Sequence, residues 1–243
     1  MSLNNKIKRK LNSESIEEIN DYIIKLSQNP NEESKNIIEY LINNLSHEHF
    51  RKIKINIIYL IGKIAEIKNI ENNLIDFLLK QYHLSDRWER NEIIKTFEII
   101  SRNQELKKDV IKILTYSLNE EYSPIIRNIL KIFLNLDILK EEIIRNVFLL
   151  LKIRDPVIYE LSKKVIQKQI KNEAQLFVLL DDKNFYMKLD NKTFRKIIVS
   201  FFNSILNLEA FRKKIEETNW EEKSKKTFLV EINILQKILL KTL

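Results

Sequence analysis

Residues 50–58 read FRKIKINII, residues 126–134 read IRNILKIFL and residues 194–202 read FRKIIVSFF. Each stretch opens with an apolar residue and an arginine, and further apolar residues follow at helical spacing. Side chains three, four, seven and eight positions apart lie on one face of an α-helix. The three stretches therefore predict amphipathic helices of one recurring design.

The same periodicity runs through nearly the whole sequence and predicts an all-α protein. Connections of only a few residues predict that consecutive helices pack antiparallel. Asp155 before Pro156 has the chemistry of a helix start, and Asp86 with Glu89 has capping-box spacing, as has Thr218 with Glu221. The expected helices cover residues 14–28, 32–45, 48–67, 71–82, 86–102, 105–118, 123–136, 139–152, 155–170, 173–180, 191–207, 209–217 and 221–241.

The composition excludes several classes of enzyme. The 243 residues contain one glycine, Gly62, where about 17 are usual for this length. Phosphate-cradling loops and Rossmann units need glycine where the backbone turns sharply or approaches a ligand. No cysteine and three histidines leave little for thiol, metal or acid–base chemistry. We therefore expect no catalytic residue, no metal and no cofactor.

Alternate helices begin near Ser46, Ser85, Ser123, Asp155 and Asp190, roughly 32 to 39 residues apart, which is the period of two-helix repeats. With its apolar-arginine openings, the sequence IGKIAE at residues 61–66 and Asp-Pro-Val at residues 155–157, the chain resembles the HEAT-repeat family, including the short repeats of the phycobilisome-lyase type. The resemblance covers residues 31–208, in four or five repeats.

The resemblance implies a curved, armadillo-like α-solenoid of about five to six antiparallel helix pairs, with the second helix of each pair lining the concave side. We interpret residues 1–243 as a single domain, with a basic and flexible segment at residues 1–12 and capping helices at residues 209–243. In this family the repeat arginines pair with aspartates of the same or the adjacent repeat. The resemblance thus implies structural roles for Arg51, Arg90, Arg127 and Arg195.

The charge of the chain is basic and uneven. The formal net charge is +8, and residues 121–243 alone carry 23 basic and 16 acidic side chains. Abundant lysine, isoleucine and asparagine also fit AT-rich codon usage, so part of this charge reflects composition. The rest predicts a basic patch in the C-terminal part, suited to an acidic partner.

Polar stripes recur along the second helices about every 36 residues and are rich in lysine and amides. They predict a partner-binding surface on the concave face, although an ordinary solvated helix face has the same composition. The stripe residues are Lys52, Asn56, Tyr59, Lys63, Asn91, Lys95, Arg102, Asn128, Lys131, Asn135, Lys163, Gln167, Lys196, Ser200, Asn203 and Asn207.

Two further features concern exposed or buried apolar residues. Trp88 lies between Arg87 and Arg90 and suggests nucleic-acid contacts, but its place in a second helix favours core packing. The last helix is apolar nearly all round, so it either folds back into the array or presents an interface to another chain. The candidate interface residues are Phe228, Ile232, Leu235 and Leu239.

These observations favour a non-catalytic scaffold or adaptor that binds a protein segment, acidic or peptide-like, on the concave face. The alternative is a sequence-nonspecific nucleic-acid binder, similar to the HEAT-like DNA glycosylases, that uses the basic surface. No apolar stretch is long enough to span a membrane, and no apolar region follows the basic N-terminus, so a cytoplasmic location is expected.

Overall fold

The computed structural model describes residues 5–202 and 204–239, without the side chains of Lys6, Lys10 and Leu239. Within these residues the fold is all-helical, as predicted. The helices are α1 (Asn5–Ser13), α2 (Ile16–Gln28), α3 (Glu32–Asn44), α4 (His47–Ala65), α5 (Asn72–Leu84), α6 (Arg87–Asn103), α7 (Lys108–Ser117), α8 (Ser123–Asn135), α9 (Glu141–Leu150), α10 (Pro156–Gln169), α11 (Glu173–Leu180), α12 (Lys183–Tyr186), α13 (Asn191–Phe201), α14 (Leu208–Glu217) and α15 (Glu222–Leu239).

Three details differ from the expected helices. The segment expected to be flexible, residues 1–12, contains most of α1, and Leu11 in this helix is buried against the core. The short helix α12 lies where no helix is expected, and α13 ends at Phe201 rather than at residue 207. Most of the stability of a short helix comes from packing against its neighbours, and both added helices bury apolar residues, Leu11 in α1 and Phe185 in α12.

The helices group into two compact units, residues Met1–Asn135 and Leu136–Leu243. The sequence shows no linker at this position, and its helix pattern continues through it. Each unit is described by itself below.

In the first unit, alternate helices pack on one another in series. Helix α2 contacts α4, α4 contacts α6, and α6 contacts α8, while α3, α5 and α7 each pack against the helix that follows them. The shared core is fully buried and includes Ile37, Ile57, Phe97 and Phe133. Because each helix buries its apolar face against its neighbours, no single pair has to form a core alone.

Hydrogen bonds between distant elements of this unit have a narrow range of sequence separation. Those made by the described side chains join residues 28 to 38 positions apart. For example, the Thr96 hydroxyl donates to the carbonyl of Ile58, and the Asn103 amide donates to the carbonyl of Ala65. Each helix pair is therefore tied to the next by polar contacts as well as by its core.

The glycine lies where α4 and α6 approach each other. A Cβ atom added at Gly62 would lie 3.3 Å from Thr96 Oγ1 and 3.5 Å from Ile99 Cδ1. Such a contact is tighter than packed side chains normally tolerate. Gly62 is thus explained by the close packing of two helices rather than by a turn or a ligand.

Of the three capping arrangements named in the sequence analysis, two are confirmed. Asp86 and Glu89 form a full capping box at α6, and Asp155 accepts hydrogen bonds from Val157 and Ile158 at the start of α10. Thr218 does not cap the last helix, because α15 begins only at Glu222 and Thr218 ends α14, where its hydroxyl donates to the carbonyl of Ile215. The box predicted for Thr218 with Glu221 is therefore wrong.

In the second unit, α9 packs against α10, α11 and α13, while α15 packs against α13 and α14. An aromatic cluster fills the space between these elements. Trp220 stacks on Tyr186 at 4.7 Å between ring centroids and contacts Phe228 edge-on, and Phe228 stacks on Phe194 at 4.1 Å. The expectation that Trp220 seals the end of the core is confirmed by its burial.

Helix α15 folds back onto its own chain, which was one of the two alternatives. Phe228, Ile232 and Leu235 are buried within the second unit. Their assignment as interface residues is therefore wrong, and Leu239 lies outside the described side chains. Among the helices described, none has both the length and the apolar content that crossing a membrane requires.

Candidate binding surfaces

The predicted stripe residues of α4, α6 and α8 fall on the solvent-facing side of these helices in most cases. Lys52, Tyr59, Lys95, Arg102 and Lys131 are exposed. In the same set Asn135 is exposed, while Asn56 and Lys63 are partly exposed. From here on, the stripe means these eight residues of α4, α6 and α8, a subset of the sixteen that the sequence predicted.

Two asparagines that were expected in the stripe are buried instead. Asn91 and Asn128 are 6% and 9% exposed, and the Asn128 amide donates to Asn91 Oδ1 at 3.1 Å. The Asn56 amide likewise donates to Asn20 Oδ1 at 2.7 Å. Amides at the boundary between two helices can satisfy each other's donors and acceptors, so they can be buried there without a charged partner. Asn91 and Asn128 therefore hold α6 to α8 and are not available to a partner.

Cations of the stripe on α4 and α6 are neutralised on their own helices. Each has a carboxylate three or four positions away, at 2.6 to 3.7 Å between nitrogen and oxygen. In contrast, Lys131 on α8 contacts the amide oxygen of Asn128 at 3.4 Å. The stripe is thus a mixed-charge surface rather than a basic one. The pairs are Lys52 with Glu48, Lys63 with Glu66, Lys95 with Glu92, and Arg102 with Glu98.

Apolar side chains are also exposed on this face of α4, both within the stripe, at Tyr59, and next to it, at Ile55. Ile55 and Tyr59 are 43% and 47% exposed on α4, and the Lys63 ammonium lies 5.7 Å from the centre of the Tyr59 ring. The hydrogen bond with Glu66 raises the pKa of Lys63, so this residue stays charged at neutral pH. Apolar and charged groups alternate here within one helix face.

In the second unit the expected stripe residues mostly serve the fold. The Lys196 ammonium donates to the carbonyl of Leu151 at 2.6 Å and lies 4.9 Å from the centre of the Tyr159 ring. Ser200 is buried, and its carbonyl accepts a hydrogen bond from Gln167. Ser200 is therefore not available to a partner, whereas Lys196 is partly exposed and its place in a binding surface stays a prediction.

The remaining residues expected in this part are less informative. Lys163 is partly exposed on α10. Asn207 caps α14 by accepting hydrogen bonds from the backbone of Glu209 and Ala210. Asn203 lies outside the described residues.

Two of the four arginines assigned structural roles by the resemblance have acidic partners, 30 and 36 positions away in the sequence. Arg90 Nη2 donates to Glu120 at 3.1 Å, and Arg195 Nε donates to the buried carboxylate of Glu231 at 2.7 Å. Their partners are glutamates rather than the expected aspartates. Structural roles for these two arginines are confirmed.

A second surface lies where α5 ends, α6 begins and the chain passes from α7 to α8. It is an open cavity of about 670 Å³, lined by Tyr82, His83, Arg87, Arg90, Tyr116, Glu120, Glu121 and Tyr122. We call it the Arg87 pocket. Its wall is held by Arg90, which donates to the carbonyl of Ser85 and to Glu120, and by Tyr82.

Tyr82 is the buried part of this wall. Its hydroxyl donates to Glu120 at 2.8 Å and lies 2.5 Å from Ser117 Oγ. Burial, together with the negative charge of Glu120, raises the pKa of Tyr82 to about 12. Tyr82 is therefore neutral over the whole physiological range and acts as a hydrogen-bond donor.

Trp88 lies beside this pocket, against Tyr122 and Arg87 of its lining, and not in the core. Its side chain is 56% exposed, and its ring contacts Tyr122 edge-on at 5.3 Å. The expectation of core packing is wrong because Trp88 precedes exposed Lys95 by seven positions, which places both on the solvent face of α6. Arg87 lies over both rings, at 5.3 Å from Trp88 and 5.6 Å from Tyr122.

No protein-family model, no curated protein and no solved structure matches the chain. The assignment to HEAT repeats therefore stays a prediction. The Arg87 pocket is missed by the sequence analysis as a site, although the sequence Arg-Trp-Glu-Arg at residues 87–90 was its signal.

Proposed function

We propose that this protein is a non-catalytic, cytoplasmic interaction scaffold, a HEAT-like α-solenoid whose stacked second helices hold a segment of a partner protein. The repeat arrangement is supported by the serial packing of α2, α4, α6 and α8. It is also supported by hydrogen bonds that recur at separations of 28 to 38 residues. A rigid array of this kind loses little conformational freedom on binding.

The observation that carries the proposal is the mixed charge of the stripe. A protein segment that bears both charges and apolar side chains complements alternating ion pairs and the exposed Ile55 and Tyr59. A nucleic-acid backbone would meet the carboxylates of Glu48, Glu92 and Glu98 beside each cation. Close like charges of this kind suppress the binding of a polyanion, so the stripe favours protein over nucleic acid.

The proposal is tested by site-specific photocrosslinking in the source cells. A benzoylphenylalanine in place of Tyr59, on the stripe, is expected to give a protein adduct. The same residue in place of exposed Asn43 on α3 is the matched control and is expected to give none. Equal adducts from both positions, or no adduct from Tyr59, would reject the stripe as a binding surface.

The nucleic-acid alternative has its own experiment. Duplex DNA and single-stranded RNA are titrated with the whole protein at about 50 mM salt, where contacts to phosphate are strongest. We expect no saturable binding. Binding that weakens steeply with salt, together with nuclease-sensitive adducts at Tyr59, would replace the scaffold with a nucleic-acid binder.

A further inference from the structure

The Arg87 pocket combines an unpaired cation with exposed aromatic rings. Among the described residues Arg87 has no carboxylate partner, whereas the neighbouring Arg90 is held by Glu120. The rings of Trp88 and Tyr122 hold the Arg87 guanidinium by cation–π contacts, which leaves its N–H groups free at their edges. A guanidinium fixed in this way is prepared to bind an anion at a reduced entropic cost.

Aromatic side chains near Arg87 are exposed to solvent. Trp88 is 56% exposed, and Tyr116, across the cavity, is 77% exposed. Tryptophan, tyrosine and arginine are the residues that contribute most to binding at protein interfaces. The pocket is therefore suited to a ligand that brings an apolar or aromatic side chain next to an anionic group.

The charge of the lining selects among anionic ligands. Arg90 and Glu120 neutralise each other, which leaves Arg87 and the exposed Glu121. A chain of phosphates would bring several negative charges close to the Glu121 carboxylate, whereas a single carboxylate can reach Arg87 alone. Planar bidentate pairing with a carboxylate is the contact that a guanidinium makes best.

We propose that the Arg87 pocket binds a short acidic peptide segment, in which an aspartate or glutamate pairs with Arg87 and a neighbouring aromatic or aliphatic side chain packs on Trp88 and Tyr122. This inference rests on the proposed function, because both take the ligand to be a segment of a protein. The site that it names is separate from the stripe. Trp88 follows the same face of α6 as Lys95, so one partner segment can reach both surfaces.

The first experiment identifies the peptide chemistry. A phage-displayed library of random dodecapeptides is selected on the whole protein and, in parallel, on the Arg87→Gln variant. The expected result is enrichment, on the wild type only, of peptides with Asp or Glu within two residues of an aromatic or aliphatic residue. Absence of enrichment, or enrichment of basic peptides, would overturn the proposal.

The second experiment measures affinity with the best selected peptide by calorimetry. Arg87→Gln is expected to weaken binding by about tenfold or more, while Trp88→Phe weakens it less. In the wild type the peptide should also change the tryptophan fluorescence, and Trp88→Phe should remove this change. Arg102→Gln tests the stripe instead, because Arg102 lies on the same helix about 22 Å away by helix rise. Lys108→Gln is the matched control, because Lys108 is an exposed cation at the start of α7 that belongs to neither surface. Circular dichroism shows whether each variant is folded.

The outcomes separate the two surfaces. Loss of affinity with Arg102→Gln but not with Arg87→Gln would assign the peptide to the stripe and overturn the pocket while the proposed function stands. Loss with Arg87→Gln alone, with no adduct at Tyr59, would keep the pocket and reject the stripe. The choice of a peptide as ligand would be overturned if a single-stranded oligonucleotide of fifteen thymidines displaced the selected peptide at a concentration equal to or below that of the peptide.

Discussion

At the scale of single residues, the first unit depends on buried polar groups that find partners in the next helix pair. Tyr82 reaches Ser117 and Glu120, and the buried Lys54 ammonium contacts Glu89 at 2.5 Å and Ser85 at 3.3 Å. A hydrogen bond contributes about 1 kcal/mol net to stability, whereas a buried donor or acceptor left without a partner costs about 1 to 3 kcal/mol. Removing one partner from any of these contacts therefore destabilises the protein by more than the bond itself contributes. The stability of the unit should therefore respond to changes at these positions.

The first prediction concerns Tyr82 and pH. Its pKa of about 12 in the folded protein lies above the value near 10 of an unfolded tyrosine. The folded state then holds the proton more tightly, so the stability contributed by Tyr82 is complete below about pH 10 and falls between pH 10 and 12. Tyr82→Phe should cost about 1 kcal/mol at pH 8, and this difference should shrink above pH 10.

Urea unfolding of both proteins between pH 8 and 11.5 measures the difference. Only the difference in free energy of unfolding between the wild type and Tyr82→Phe is compared, so that effects common to both proteins cancel. A gap that stays constant or grows with pH would contradict the assignment of a raised pKa to Tyr82.

The second prediction concerns Lys54 and Glu89. Glu89→Ala removes both the capping box of α6 and the partner of a buried ammonium, so it should lower the free energy of unfolding by about 3 kcal/mol. Lys54→Met should cost clearly less, since it leaves no buried charge unpaired. In the Lys54→Met background the cost of Glu89→Ala should fall, which a double-mutant cycle measures. Additive costs would show that the pair does not interact.

At the scale of elements, helix boundaries and helix contacts have different origins. The start of α10 at Asp155-Pro156 is set by residues within one turn, whereas the approach of α6 to α4 depends on Gly62 and Thr96, which are far apart in sequence. The single glycine of the chain lies inside a helix, where it costs about 1 kcal/mol relative to alanine. That cost is offset by the close packing of the two helices.

The third prediction tests this contact. Gly62→Leu should destabilise the protein by about 1 to 3 kcal/mol, because the side chain would overlap Thr96 and Ile99. Gly62→Ala should change stability by less than about 1 kcal/mol. The higher helix propensity of alanine offsets the cost of placing its Cβ atom 3.3 Å from Thr96 Oγ1. Thermal unfolding followed by circular dichroism compares the two variants, and equal effects would contradict tight packing at this point.

At the scale of the whole molecule, the described helices divide into two units, each with its own buried core. In the first unit, alternate helices contact one another along the chain, and the hydrogen bonds made by Thr96 and Asn103 each span 38 positions. In the second, helices of unequal length surround the aromatic cluster of Trp220 and Phe228. Regular and irregular packing thus occur in the same chain.

The fourth prediction is that a fragment of residues 1–135 folds on its own. Its core includes Ile57, Phe97 and Phe133, supplied by its own helices, and its contacts are local in sequence, which favours rapid folding. We expect a helical spectrum and one cooperative transition in urea. A fragment without cooperative unfolding would show that the first unit depends on residues beyond 135.

The sequence predicted the features that arise within a few residues. Apolar spacing indicated nearly every helix, and Asp86, Glu89 and Asp155 indicated starts that the structure confirms. These signals are readable because capping and amphipathicity join residues three or four positions apart.

Tertiary structure alone decided which polar residues face solvent. The amides of Asn91 and Asn128 turn inward to each other, Lys196 is used by a carbonyl of another helix, and Trp88 is exposed beside Tyr122. These outcomes depend on partners 34 to 45 positions away, and helical periodicity carries no information about which side chain stands opposite another. The pattern of neighbouring residues in the sequence therefore determined the helices, whereas the packing between helices determined which surfaces are open to a partner.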